Sequence, residues 1–387
     1  MKTRLIILAV LALAVVSCAK KSADFSAPNG GMKFVASNGA SAIKSHFEDI
    51  STSGQLVWDD EDVLGIYAFD PTAAEPFGAG SLVQEKAYID PADAGKKAAN
   101  FMSILSEDEW FGEATQKSFF AYYPCIGPQG ELQTINYTEE GVIVETKHVF
   151  PCYVEDEQFP GEGFKKHQFL YSQGTSAAKG EVVNLGTFTP YTALIRFRMK
   201  SNTSYEWNIG EIRFSYGYLS PYSDELRSDA GTALTGLHLL EVSNDGLTVS
   251  PATEVSLDNS DYYSYSSSLS MVFSLGNDDY ATGTQGVLIK KDQYTDYFFF
   301  ACLPTLRPRN DMKIRIEAEA YELFDETYYG KVFKREVDAP AELAGGFESG
   351  KCYSFAIDFD EGELSVGYEG STNVGAYEIN TEWGEEE

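Results

Sequence analysis

The sequence predicts an all-β chain folded as two antiparallel β-sandwich domains. Three observations carry that expectation. Short runs alternate apolar and polar side chains with a period of two, and clusters of Gly, Ser, Asn and Asp separate them. A helical period shows only weakly, in "KKAANFMSILSEDEW" at 96–110. The third observation is size: about 350 residues expected to be ordered are too many for one simple core, so two domains are the default.

The leader comes first. Lys2 and Arg4 precede twelve apolar residues, Leu5 to Val16, and Val15-Val16-Ser17 puts small residues directly before Cys18. This is a secretory signal over residues 1–17, too short for a bilayer that needs about 20 apolar residues. A cysteine in this place resembles a bacterial lipobox. That resemblance implies cleavage before Cys18, a lipid on its sulfur and attachment to a membrane. Residues 18–33 are small, polar and glycine-containing, and are expected to be a tether.

Removing residues 1–17 takes two basic groups from the 29 and leaves 27 against 59 acidic ones, a formal charge of −32. Such a surface repels nucleic acid and anionic headgroups, so a nucleic-acid partner is excluded. With 43% hydrophobic and 14% aromatic residues, the chain is not an acidic disordered one. Four cysteines follow Cys18, in a secreted context that permits disulfides. They fall as Cys125 with Cys152 and Cys302 with Cys352. Three connectivities are open to them, as is the alternative of four buried thiols. Their spacing matches no zinc pattern.

The strands are then read in order. "VLGIYAF" follows the acidic run Asp59–Asp62 behind Trp58. Two ligand positions alternate there, Asp60 and Asp62, but Leu64 takes the next one and Gly65 comes one place late, so the run is no EF-hand loop. Four adjacent acids also fail the opposed placement of paired catalytic carboxylates, and a solvated turn is expected. "ALIRFRMK" at 193–200 alternates Ile195, Phe197 and Met199 with Arg196, Arg198 and Lys200. Lys313–Ala320 and Tyr353–Phe359 alternate in the same way. The small, turn-rich stretch 172–186 is the candidate boundary, giving domains at 34–180 and 181–360 and an extension at 361–387.

Four stretches together carry a family resemblance. "WDDEDVLGIY" (58–67), "FFAYYP" (119–124), "TALIRFRM" (192–199) and "GKCYSFAIDF" (350–359) resemble, in order, strands of the fimbrillin family, the type V pilins and related surface lipoproteins of Bacteroidota. The resemblance implies two sandwiches of transthyretin-like topology, made as an outer-membrane lipoprotein that forms fimbriae and supports adhesion. It implies polymerisation by strand exchange with other fimbrial subunits: a protease removes the first strand, and the C-terminal strand of the next subunit fills the groove. Physically that is β-augmentation. Leu364, Val366 and Tyr368, or Tyr377 and Ile379, are the candidate pocket fillers. The chain departs from polymerising members in having no arginine between Arg4 and Arg196, which leaves Lys33 and Lys44 as the nearest processing sites. An uncut chain keeps its lipid and its filled groove, which suits an anchor at the base of a fimbria slightly better than a stalk subunit.

Two rival functions remain. His46, His148, His167 and His238 show no metal or catalytic spacing, and no nucleophile elbow or phosphate loop occurs, so no enzyme, cofactor or metal is expected. A non-polymerising glycan-binding lipoprotein would need exposed aromatic platforms. Its candidates are "YYSYSSS" (262–268) and Trp207.

Overall fold

The structure, a computed structural model, describes residues 31–38, residue 58 and, with short gaps, residues 60–373. Cys18, Lys44, His46, Tyr377 and Ile379 lie outside the described residues.

The first half of the chain forms β1 (Gly31–Asn38), β2 (Val63–Phe69), β3 (Val83–Ile89), β4 (Ala98–Ser106), β5 (Gln116–Tyr123), β6 (Gln133–Glu139), β7 (Val142–Val154), β8 (Glu157–Gln158), β9 (Leu170–Ser172), β10 (Thr175–Ala178) and β11 (Val183–Pro190). One short helix, α1 (Glu107–Phe111), separates β4 from β5. The second half adds β12 (Ala193–Ser201), β13 (Trp207–Leu219), β14 (Leu226–Arg227), β15 (Gly236–Val242), β16 (Val249–Pro251), β17 (Ser268–Val272), β18 (Val287–Ile289), β19 (Phe298–Cys302), β20 (Met312–Phe324), β21 (Thr327–Asp338), β22 (Lys351–Phe359) and β23 (Leu364–Asn373).

The chain is all-β and sandwich-like, as its alternating runs predict. Its strands form four sheets among the described residues. The first, in order β10-β5-β2-β3-β4-β1-β11-β9, returns on itself because β9 also pairs with β5 through Tyr122↔Tyr171 and Tyr123↔Leu170. The resulting barrel encloses one core, which includes Phe34, Trp58, Ile66, Phe101, Trp110, Phe119 and Phe188. On the outside of β2 and β5, Tyr67, Phe69, Phe120 and Tyr122 pack against the sheet β16-β15-β7-β6. The second sandwich places β19-β12-β22-β23 against β21-β20-β13-β17-β8, over a core that includes Phe197, Phe214, Ile316 and Phe355.

Several details differ from the sequence expectation. Three ladders, β1 with β11, β12 with β22 and β8 with β17, are parallel, because long stretches of chain separate each pair and allow a crossover. The weak helical period at 96–110 is mostly strand β4. Pairing between β3 and β1 overrides it and buries Ala99, Phe101 and Ser103 on one face. Helix survives only at α1, closed by a capping box in which Ser106 N–H donates to Glu109 Oε2 at 2.7 Å and Glu109 N–H to Ser106 Oγ at 3.4 Å. β11, which follows the stretch 172–186, pairs with β1 in the barrel, and β12 from Ala193 belongs to the second sandwich. Later, β15 and β16 return to pair with β7.

The acidic run is only partly a solvated turn. Asp60 and Glu61 are exposed, but Asp62 is buried and accepts a hydrogen bond from Tyr123 Oη–H at 2.8 Å. Trp58, buried beside it, meets Phe101, Tyr123 and Phe188 edge-on at 5.0–5.6 Å. Charge counting alone could not separate the fourth acid from the other three.

The two halves of the molecule interlock. Leu194, Phe299, Ala301 and Cys352, on the outer face of the four-stranded sheet of the second sandwich, belong to the barrel's core cluster. Gln158, fully buried, donates from Nε2 to Ala301 O at 2.8 Å and accepts at Oε1 from Ala301 N–H at 3.0 Å. It acts as a one-residue strand that caps the free side of β19.

Candidate functional site

Strand β1 is short, takes in the last three residues of the expected tether, Gly31 to Lys33, and is paired along both sides. Its partners are β4, antiparallel from Gly31↔Ser106 to Ser37↔Ala98, and β11, parallel from Phe34↔Val183 to Asn38↔Phe188. Alternation sends Met32, Phe34 and Ala36 into the barrel, where each is at most 5% exposed. Phe34 meets Trp110 of α1 edge-on at 5.4 Å and Phe119 of β5 at 6.0 Å. Burying Phe34 and Met32 contributes on the order of 3–6 kcal/mol. The strand therefore fills a slot with three apolar sockets and two rows of main-chain partners.

Of the two candidate processing residues, Lys33 sits inside β1, exposed and opposite Met102. A cut there leaves Phe34 and Ala36 in the retained chain. Lys44 follows β1 in the sequence, so a cut there separates the whole strand from what remains.

Toward the other end of the chain, β23 pairs, among the described residues, with β22 alone and forms an edge of its sheet. Leu364 is buried, and Val366 and Tyr368 are half-buried against the core of their own sandwich, with Tyr368 and Phe355 ring centroids 5.4 Å apart. These three pocket-filler candidates are already seated in their own subunit. A bulge between Ser354 and Phe355 and Gly370 at φ 104° distort the ladder toward its end.

The four cysteines are free thiols in the structure. Cys302 and Cys352 stand on β19 and β22, with β12 between them, and face opposite sides of the sheet toward different cores, which rules out a bridge without rearrangement. Burial pushes the Cys152 and Cys302 thiols up, and that of Cys352 to about 12 against the opposing pull of Arg196. Cys125 is half-buried against the core cluster that contains Cys152.

The histidines stand apart. His148 stacks on Phe77 at 3.8 Å, and desolvation lowers its pKa. Buried His167 lies 3.6 Å from a Glu155 carboxylate oxygen, and buried His238 shares a 2.8 Å hydrogen bond with Tyr191 Oη. Among the described residues no three His, Cys, Asp or Glu side chains converge to hold a metal. Trp207 is buried against Phe333 and offers no sugar platform, because alternation on β13 turns it inward. Tyr265, at the described end of the 262–268 stretch, donates its hydroxyl to Leu237 O at 2.9 Å.

No family model and no curated protein matches the chain. Among solved structures it is similar to a candidate cell adhesion protein from Bacteroides ovatus, with 12% identity over 90% of this chain and 100% of that one at a TM-score of 0.44. A candidate cell adhesion protein from Bacteroides uniformis gives 13% identity over 89% and 98%, at 0.45. A fimbrial protein from Bacteroides vulgatus gives 12% identity over 80% and 92%, at 0.41.

Proposed function

We propose that the chain is a non-enzymatic, lipid-anchored subunit of surface fimbriae that assembles by strand exchange and supports adhesion at the outer membrane. The single observation that supports this most is the seating of β1. It is an interior strand near the N-terminus, held by three inward side chains and by hydrogen bonds on both edges, and its slot has the shape that a strand from another subunit would need. The sequence resemblance to fimbrillins points the same way.

A donor must run antiparallel to β4 and parallel to β11, as β1 does. Because Leu364, Val366 and Tyr368 fill their own sandwich, the donor set is Tyr377 and Ile379. Their two-residue spacing matches adjacent sockets such as those of Met32 and Phe34. Processing at Lys44 makes a stalk subunit. A chain that keeps β1 and a lipid on Cys18 makes an anchor.

Intact mass and N-terminal sequencing of the membrane-extracted protein test this. A chain starting after Lys44 in a detergent-resistant ladder supports the stalk role, and a full-length chain with lipid on Cys18 supports the anchor. An unmodified soluble monomer that retains β1 overturns the proposal.

A further inference from the structure

The outer face of the four-stranded sheet changes character along its length. At one end Leu194, Phe299, Ala301 and Cys352 are covered by the barrel. Beyond them Arg196, Arg198 and Lys200 of β12 recur at every second residue, each half-buried. Two tyrosines from the chain entering β19 lie across these cations. The Arg196 guanidinium sits 4.4 Å from the Tyr297 ring centroid, and that of Arg198 sits 4.3 Å from Tyr294's. Tyr297 also packs against the barrel core, so this ledge lies where the two halves of the molecule meet. Junctions of this kind are common places for small-ligand sites.

Most charges on the ledge are matched. Arg198 pairs with Glu369, and Lys200 lies 3.4 Å from Asp358. The phenols donate to the same acids, Tyr297 to Glu369 at 3.0 Å and Tyr294 to Asp358 at 2.7 Å. Arg196 is different. Its Nε donates to Ser354 Oγ at 2.6 Å and its face is covered by Tyr297, yet among the described residues no carboxylate pairs with its terminal nitrogens. It is the one cation of this ledge for which, among the described residues, no carboxylate partner is found, while Arg198 and Lys200 beside it are paired. Its position is already fixed, which lowers the ordering cost of binding, and its planar fork fits a carboxylate.

We propose that this ledge binds a glycan bearing a single carboxylated sugar. The carboxylate meets the fork of Arg196, hydroxyls donate to Asp358 and Glu369, and the sugar ring lies along Tyr297. The surrounding groups select this ligand class. An acidic peptide would bring several negative charges against Asp358, Asp360 and Glu369 on a chain of formal charge −30. A polyol with one negative charge uses those same carboxylates as acceptors.

The test is a binding titration of the full-length protein in detergent with 3′-sialyllactose, with a glucuronate-terminated disaccharide and with lactose. It is repeated for Arg196→Gln and Arg196→Lys, and with a synthetic peptide of residues 374–387 as competitor. We expect at least one carboxylated sugar to bind about tenfold or more tightly than lactose, and which one does so distinguishes a sialic from a uronic acid. Arg196→Gln loses that margin at an unchanged thermal midpoint. Should Arg196→Gln fail to fold, Arg196→Lys, which keeps the charge without the fork, must weaken the carboxylated sugar while leaving lactose unaffected. Equal binding of lactose, full affinity in both variants, no carboxylate binding up to about 10 mM, or displacement of the sugar by the peptide would each overturn the assignment.

Discussion

Strands β1 and β23 lie near opposite ends of the chain and are held in opposite ways. β1 is paired on both sides and sends three side chains into a closed barrel. β23 is paired on one side and buries only Leu364 fully. The strand nearer the N-terminus is thus the one whose loss leaves a slot, and the strand nearer the C-terminus is the one that adds least. A donor reaching from beyond β23 would leave its own sandwich almost intact, whereas a slot vacated by β1 would expose apolar sockets and two unpaired ladders.

Four experiments sharpen or break this contrast, from the largest effect to the smallest. Deleting residues 31–38 should abolish the cooperative thermal transition of the barrel, and a peptide of that sequence added in trans should restore it. An unchanged transition would mean that β1 is dispensable. Phe34→Ala should cost about 3–5 kcal/mol in urea unfolding, because the surrounding rings cannot collapse into the space. Leu364→Ala should cost less, about 2–3 kcal/mol, at the edge of a sheet that is free to relax. If the two costs are equal, the contrast fails.

The smallest effect concerns the loop that holds Trp58. Asp93 accepts from Asn100 N–H of β4 at 2.8 Å and from Lys96 Nζ, also at 2.8 Å. Burial pushes its carboxyl up, but these bonds outweigh burial and hold it below its ordinary 3.8. A carboxyl depressed in the folded state stabilises above its unfolded pKa and loses that stabilisation as pH falls through the folded one. Asp93→Asn should therefore destabilise the barrel at pH 7, by an amount that shrinks as pH falls below 3.8 and through the lower folded-state value, in paired denaturant curves.

Much of this architecture was legible in the sequence. Alternation in "ALIRFRMK" and in Lys313–Ala320 identified β12 and β20 and the inward and outward faces of each, because a half-buried sheet imposes a period of two. Pairings between residues far apart in sequence were not legible. Nothing local shows that β11 lies beside β1, or that the sheet closes through β9. The burial of Asp62 depends on a tyrosine 61 residues away. Arg196 showed in the sequence as one of three alternating cations, but only the fold reveals that, among the described residues, it alone of the three has no carboxylate partner. The cysteines show the same limit: Cys302 and Cys352 occupy similar strand contexts in the sequence, but only the fold shows that they face opposite sides of one sheet.

The shared core has a consequence for synthesis. Leu194, Phe299, Ala301 and Cys352 all belong to the barrel's core cluster, and the Gln158 clamp on Ala301 spans 143 residues. A chain emerging from its N-terminus can assemble most of the barrel early, yet cannot cover its apolar flank until nearly the last strand has arrived. Ordering of the first half therefore waits for the second. Such a polypeptide stays loose and sticky through most of its synthesis, and hardens into one body only when its last strands arrive.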